Sequence, residues 1–246
     1  MEKIRIQKYL SERGVMSRRA ADSALAEGRI AVNGVTARPG DKIDPSSDTL
    51  TIDGRIVTTG TAPPPRTYIM LNKPAGVVTT MHDERGRRSV AELTANVGVR
   101  VYPVGRLDMY SDGLLLLTND GEFAARLMHP RHEIPKIYRV ILVGDVPDAT
   151  LAKLAEPMTI IESDGTPYAL APIGVKLISR GGGETTVELT LKEGRNRQIR
   201  RMCSFLGLKI KRLTRTAIGD VRLGSLPPGK WRHLKENEIA YLSGKS

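Results

Sequence analysis

Four consecutive leucines, Leu114 to Leu117, constrain the fold of this chain more than any other feature. They stand between the loop Gly105-Arg106-Leu107-Asp108-Met109-Tyr110-Ser111-Asp112-Gly113 and the polar turn Asn119-Asp120-Gly121. A continuous apolar run bounded by turn residues reads as a strand buried on both faces. The loop in front of it sets Arg106 and Asp108 at the edge of a rigid, dry core. Loops positioned by such scaffolds commonly carry catalytic groups. An ion pair that only caps the strand fits the same spacing equally well.

The chain has 246 residues, enough for one large domain or a large one with a small companion. Aromatic residues make up only 4% of it, so aliphatic side chains must fill the interior. The formal net charge of +11 predicts a polyanionic partner, because Lys and Arg neutralise phosphates and release condensed counterions. Cys203 is the one cysteine, which excludes an intramolecular disulfide and fits a reducing, cytoplasmic setting. No apolar run is long enough to span a bilayer, and Met1-Glu2-Lys3-Ile4-Arg5 has no signal-peptide core. No membrane partner is expected.

Residues 1–60 form a first domain by pattern. Ile4, Ile6, Tyr9 and Leu10 predict a short helix ending near Gly14. Ser17 caps a second helix with Ala20, Ala21, Ala24 and Leu25 at helical spacing, stopped by Gly28. Two strand pairs follow, turning at Asn33-Gly34 and Asp53-Gly54. Arg18 and Arg19 lie on the first helical turn, where cations oppose the helix dipole unless phosphate is the neighbour. Simple solvation of two exposed arginines is the commoner case. The ordered motifs Ile6-Gln7-Lys8-Tyr9-Leu10, Gly14-Val15-Met16-Ser17-Arg18-Arg19-Ala20-Ala21, Gly28-Arg29-Ile30-Ala31-Val32-Asn33-Gly34 and Asp41-Lys42-Ile43 resemble the S4-like RNA-binding domain. That resemblance implies structured RNA as partner, with Lys8, Arg18, Arg19 and Arg29 as contacts.

Pro63-Pro64-Pro65 marks a stiff linker, placed at residues 61–67. A second domain, residues 68–246, opens with the strand Tyr68 to Leu71 and a turn carrying Lys73 before Pro74. Residues 81–89 read as a mobile loop over the site. Phe123, Ala124, Leu127 and Met128 share one face of a helix. Strands are predicted over residues 135–143, 168–179 and 185–192, with a short helix at 148–156 between the first two. Tyr138, Val140 and Leu142 share a strand face, with Lys136 pointing the same way. Ile199, Met202, Cys203 and Leu206 recur at helical spacing, with Arg197, Arg200 and Arg201 on the other side. Eight of the 21 residues from Arg195 to Arg215 are basic and none is acidic, which favours phosphate binding over a solvated face of mixed sign. His82, His129 and His132 lack metal-ligand spacing, so no metal is expected.

Four motifs now stand in order: Leu71-Asn72-Lys73-Pro74-Ala75-Gly76, Gly105-Arg106-Leu107-Asp108, Lys136-Ile137-Tyr138, and Glu193-Gly194-Arg195-Asn196-Arg197-Gln198-Ile199-Arg200-Arg201-Met202. Together they resemble the pseudouridine synthases, in the ribosomal-RNA branch that carries an N-terminal S4-like domain. The resemblance implies an α+β fold: a small S4-like α/β domain, then a catalytic domain with a bent, largely antiparallel sheet flanked by helices. It also implies a cofactor-free isomerisation in which the C1′–N1 bond of uridine breaks and a C1′–C5 bond forms. Asp108 matches the essential aspartate, as nucleophile or proton carrier. Arg106 matches the residue that fills the stack when the uridine flips out. Tyr138 matches a tyrosine that packs on the base, and Arg200 the basic partner of the aspartate. Lys73, Arg197 and Arg201 are implied RNA contacts.

The expected substrate is ribosomal RNA, free or in a pre-ribosomal particle, and the expected state is a monomer. Large-subunit (23S) rRNA is favoured on the Arg-Asn-Arg-Gln-Ile-Arg-Arg-Met form, with small-subunit (16S) rRNA the near alternative. A non-catalytic RNA-binding assembly factor is the competing reading. The intact Asp108, Tyr138 and Arg200 weigh against it.

Overall fold

The computed structural model describes residues 3–57, 63–161 and 164–244. Residues 58–62, which include the start of the expected linker, lie outside them, as do Met1 and Glu2. The chain divides into two units, the first made of residues up to Thr67 with Gly98–Arg100 and Asn119–Gly121, the second of the remainder.

The first unit contains β1 (Ile4–Arg5), α1 (Ile6–Glu12), α2 (Arg18–Ala26), β2 (Ile30–Val32), β3 (Val35–Thr36), β4 (Lys42–Ile43), β5 (Leu50–Ile52) and β6 (Arg55–Val57). Ile4 starts a strand rather than the predicted helix, because it pairs with Ile43. The Ser17 hydroxyl accepts from the Ala20 amide at 3.0 Å and caps α2. Asn33 and Gly34 both take positive φ, as do Asp53 and Gly54. Those turns match the twist of the strands they join, and the sheet runs β3-β2-β5-β6. Ile6, Leu10, Leu25, Ile30, Ile43 and Leu50 form its core.

The second unit continues with β7 (Tyr68–Lys73), α3 (Val90–Leu93), β8 (Tyr102–Val104), β9 (Asp112–Thr118), α4 (Gly121–Met128) and β10 (Lys136–Val143). Then come α5 (Asp148–Ala155), β11 (Met158–Ile161), β12 (Pro167–Leu170), β13 (Gly174–Gly181), β14 (Glu184–Leu191), α6 (Gln198–Phe205), β15 (Ile210–Ile218), β16 (Val221–Arg222), β17 (Trp231–His233) and α7 (Glu236–Leu242). The main sheet runs β13-β14-β10-β15-β9-β7-β17, with β16 on β15 and β8 on β9. Every pairing in it is antiparallel except β15 with β9. The architecture is α+β.

β9 is the predicted leucine strand, and all seven of its residues are buried. β7 covers one edge, and β15 and β8 share the other. Leu114 and Leu116 pack with Met70, Phe123, Ala124 and Leu127. A second core gathers Val140, Leu142, Leu154, Val187, Leu189, Ile199 and Met202.

Several expectations fail locally. The single strand predicted at 168–179 is two, β12 and β13, because Pro172 between them has no N–H to donate. β11, unexpected, pairs with β12 as a hairpin. Met128 is 54% exposed, unlike Phe123, Ala124 and Leu127 on the same helix. Residues 81–89, expected as a mobile loop, contain a local turn and join the rest of the fold at Ser89. Asp83 accepts from the Arg87 amide and guanidinium, both at 2.7 Å. Val78 bridges Ser89, and the Ser89 amide donates to Glu92 at 2.8 Å in a capping box.

Candidate active site

The loop from Gly105 to Ser111 enters β9 and is held from two sides. Beneath it lies Lys73, the last residue of β7, with no exposed surface. Its ammonium donates to the carbonyls of Val77 at 2.8 Å, Pro74 at 3.0 Å and, more weakly, Met109 at 3.5 Å. The Gly76 amide donates to the same Met109 carbonyl at 2.7 Å. The Thr79 hydroxyl donates to the Leu107 carbonyl at 2.7 Å. Residues 73–79 therefore form a bracket for the loop, anchored on the buried Lys73 and Val77. The sequence predicts that Lys73 meets phosphate from a turn; instead the strand carries it inward, and its charge is spent on backbone carbonyls. Burial pushes its pKa down from 10.5 to about 8, against the pull of Asp112 and Asp108.

On the other side stands α6. Arg200 donates from Nη2 to the Tyr110 carbonyl at 2.8 Å and to the Ser111 hydroxyl at 3.1 Å. Its Nε lies 3.7 Å from Asp108 Oδ2. Asp108 stays one-third exposed, so its carboxylate is both paired and reachable. The Ser111 amide donates to the Asp108 carbonyl at 3.1 Å, closing the turn. Asp112 accepts from Arg212 Nε at 2.9 Å. Gly113 then permits the parallel step. It has φ +105°, and a Cβ there would strike the backbone of Arg215 on β15.

Asp108 and Arg200 open into a cleft of about 340 Å³. Arg106, Lys136, Tyr138, Arg195, Arg197 and Arg215 are among the residues lining it. Tyr138 stands directly opposite Arg215 on the neighbouring strand. Arg106 and Arg197 are exposed at this cleft, and Arg197 adopts a left-handed conformation to start α6. Arg195 stacks on the Tyr168 ring, its guanidinium carbon 3.7 Å from the centroid. Glu193 accepts from Gln198 at 3.0 Å, and Gln198 accepts from the Arg195 amide at 3.1 Å.

The structure thus brings Asp108, Tyr138, Arg200, Arg106 and Arg197 to one cleft. Arg201, expected at the same surface, is not among its lining residues. Its guanidinium donates to the Ile161 carbonyl at 3.0 Å and to Asn196 at 3.2 Å. In the first unit, Arg18 and Arg19 are exposed, and Lys8 lies 3.7 Å from Glu12. Arg29 is forked by Asp53 at 2.7 and 2.8 Å and also donates to Glu27 at 3.1 Å. Arg29, expected as a phosphate contact, is thus held by two carboxylates while its side chain stays half exposed. Ser111, not among the expected site residues, joins the site through its hydrogen bond with Arg200.

Residues 67–205 match the family model for RNA pseudouridylate synthase, and residues 4–49 match the S4 domain. A relative from Aquifex aeolicus, described as an uncharacterized RNA pseudouridine synthase, is 41% identical over 98% of this chain and 94% of its own. Ribosomal large subunit pseudouridine synthase B of Bacillus subtilis is 38% identical over 97% of this chain and 95% of its own. The crystal structure of a pseudouridylate synthase superposes with a TM-score of 0.67 at 30% identity, covering 97% of this chain and 99% of that one.

Proposed function

Because this chain belongs to the RNA pseudouridylate synthase family and carries an S4 domain, we propose that it converts uridine to pseudouridine in ribosomal RNA, at a large-subunit (23S) site. The Bacillus subtilis relative, a large-subunit enzyme by name and similar over nearly all of both chains, supports the choice of subunit. The observation that carries the chemistry is the Asp108–Arg200 pair in a cleft walled by Tyr138.

Asp108 acts on the nucleotide as nucleophile or proton carrier, tasks open to a reachable carboxylate in a shielded cleft. Arg200 orients it through the two hydrogen bonds to Tyr110 and Ser111. Tyr138 offers the base a flat face and a hydroxyl donor. Exposed Arg106 takes the place of the flipped uridine, and Arg197 meets its phosphates. Arg18, Arg19 and Lys8 of the first domain hold structured RNA, and the enzyme works as a cytoplasmic monomer with residues 61–67 as its linker.

Chemical mapping of pseudouridine in rRNA from cells with and without the protein tests substrate and subunit together. Complementation with Asp108→Asn is expected to leave the site as uridine while RNA affinity stays within about twofold of wild type. Retained modification would remove Asp108 from the reaction. Loss of a small-subunit site instead would move the substrate to 16S rRNA.

A further inference from the structure

We propose that Lys136 and Arg215 form a paired-cation floor to the cleft, which takes up the negative charge of the uracil ring as it detaches from the ribose. The inference rests on the reading above and assigns the cleft two further catalytic residues. The register of the sheet places them. Arg215 on β15 faces Tyr138 on β10, and Lys136 precedes Tyr138 by two residues, so all three share one face of the sheet. All three line the cleft.

Neither cation is neutralised. Arg215 is only 5% exposed; its Nε donates to the Leu114 carbonyl at 2.7 Å, but its Nη2 is buried with no hydrogen-bond partner. Lys136 makes one long hydrogen bond, 3.4 Å to the Lys192 carbonyl. Among the described residues, no carboxylate forms a salt bridge with either. The acids of the cleft have other partners: Asp108 has Arg200, and Glu193 has Gln198. Burial first, and then the nearby Arg215 guanidinium, push the Lys136 pKa down. A buried donor left without a partner is costly, so such a pair is arranged for an anion that arrives.

The reaction supplies one. When the C1′–N1 bond breaks, its electron pair stays on the base, and the charge spreads over N1, O2 and O4. The demand at C1′ is met by bonding to the Asp108 carboxylate or by loss of a sugar proton to it. The base turns and its ring electrons form the C1′–C5 bond as the C1′–O bond to Asp108 breaks, or as Asp108 returns the proton to the sugar; C5 then gives up its proton and N1 gains one. Donors fixed where charge develops lower that barrier without reorganising. A backbone phosphate is the other anion two cations could hold. The exposed Arg197 is the group set for phosphate, whereas Arg215 is almost wholly buried.

Single-turnover kinetics on unmodified 23S and 16S rRNA transcripts, made with uridine or with 5-fluorouridine, separate the alternatives. Fluorine at C5 makes the departing base a more stable anion. Lys136→Met is expected to slow C1′–N1 cleavage in the uridine transcripts on the order of a hundredfold. Its Kd for RNA should stay within about twofold, and its deficit should shrink to about tenfold or less on the fluorinated transcripts. Arg215→Gln should behave alike if it folds; Lys136→Met decides the matter if it does not. An unimpaired rate, an equal deficit on both transcripts, or a loss confined to Kd would overturn the proposal, the last by assigning the pair to phosphate. Wild-type protein that forms no pseudouridine would overturn the function beneath it.

Discussion

Lys73 couples the stability of the second unit to pH in an unusual direction. Its ammonium is wholly buried and its pKa falls from 10.5 to about 8, with burial the leading cause. Below pH 8 both the folded and unfolded chains hold the proton, and the fold bears the whole penalty, about 3 kcal/mol for a shift of this size. Between pH 8 and 10.5 the unfolded chain keeps the proton that the folded one has released, so stability rises with pH. Integrated from pH 7 to pH 10, the rise is about 2.5 kcal/mol. Urea unfolding can follow it through Trp231, the only tryptophan, because β17 pairs directly with β7. Other groups titrate over this range, so the quantity to compare is wild type minus Lys73→Met at each pH. That difference should climb by about 2.5 kcal/mol across the interval. A flat difference would refute the reasoning and mean that Lys73 is solvated or paired with a carboxylate in solution. At pH 7 the same variant should also modify RNA more slowly, since the bracket under Asp108 is no longer tied to the Val77, Pro74 and Met109 carbonyls.

Gly113→Ala forces a Cβ into the backbone of Arg215 at a positive φ, and should cost about 3 kcal/mol in urea unfolding. A cost near zero would mean that β9 and β15 can part freely. Cys203 is buried and its thiol is pushed up to about 12 by burial, so a disulfide reagent at pH 8 should label it only as the chain unfolds. Labelling at the rate of a free thiol would contradict that burial. Arg18→Ala with Arg19→Ala should weaken binding to structured rRNA and flatten its log–log salt slope by about 0.7–0.9 for each phosphate that is no longer neutralised. An unchanged slope would place the RNA elsewhere on the first domain.

What can be read in the chain follows from how local each signal is. Leu114 to Leu117 betray a buried strand because the run is short and closed on both sides by turn residues, and the Asn-Gly and Asp-Gly turns carry their own geometry. The pairing of Asp108 with Arg200 is not local: Arg200 lies 90 positions beyond the Tyr110 carbonyl it binds, and motif resemblance, not spacing, connects them. The inward course of Lys73 is hidden because a lysine before a proline normally faces water, and nothing in its neighbours reveals the carbonyls waiting inside. The different position of Arg201 has the same root as the unexpected β11. Helical periodicity rightly sets it on the polar side of α6, but the unforeseen strand supplies the Ile161 carbonyl that occupies it. The run of charge along residues 195–215 likewise blends unlike roles. Arg215 is buried under the cleft, Lys211 pairs with Glu184, and Arg197 is exposed.

The single parallel step in the sheet governs when the site can exist during synthesis. β9 emerges from the ribosome early, but the helix bearing Arg200 and the partner strand β15 follow only after β10 through β14 have been made. Until then Asp108 has no cation from α6 beside it, and Gly113 has no backbone to press against. A nascent or truncated chain lacking α6 and β15 therefore carries Asp108 without the arginine that stands beside it in the complete fold. Such a chain already holds β1 through β6, the elements of the first domain, long before the pairing at Asp108 can be completed.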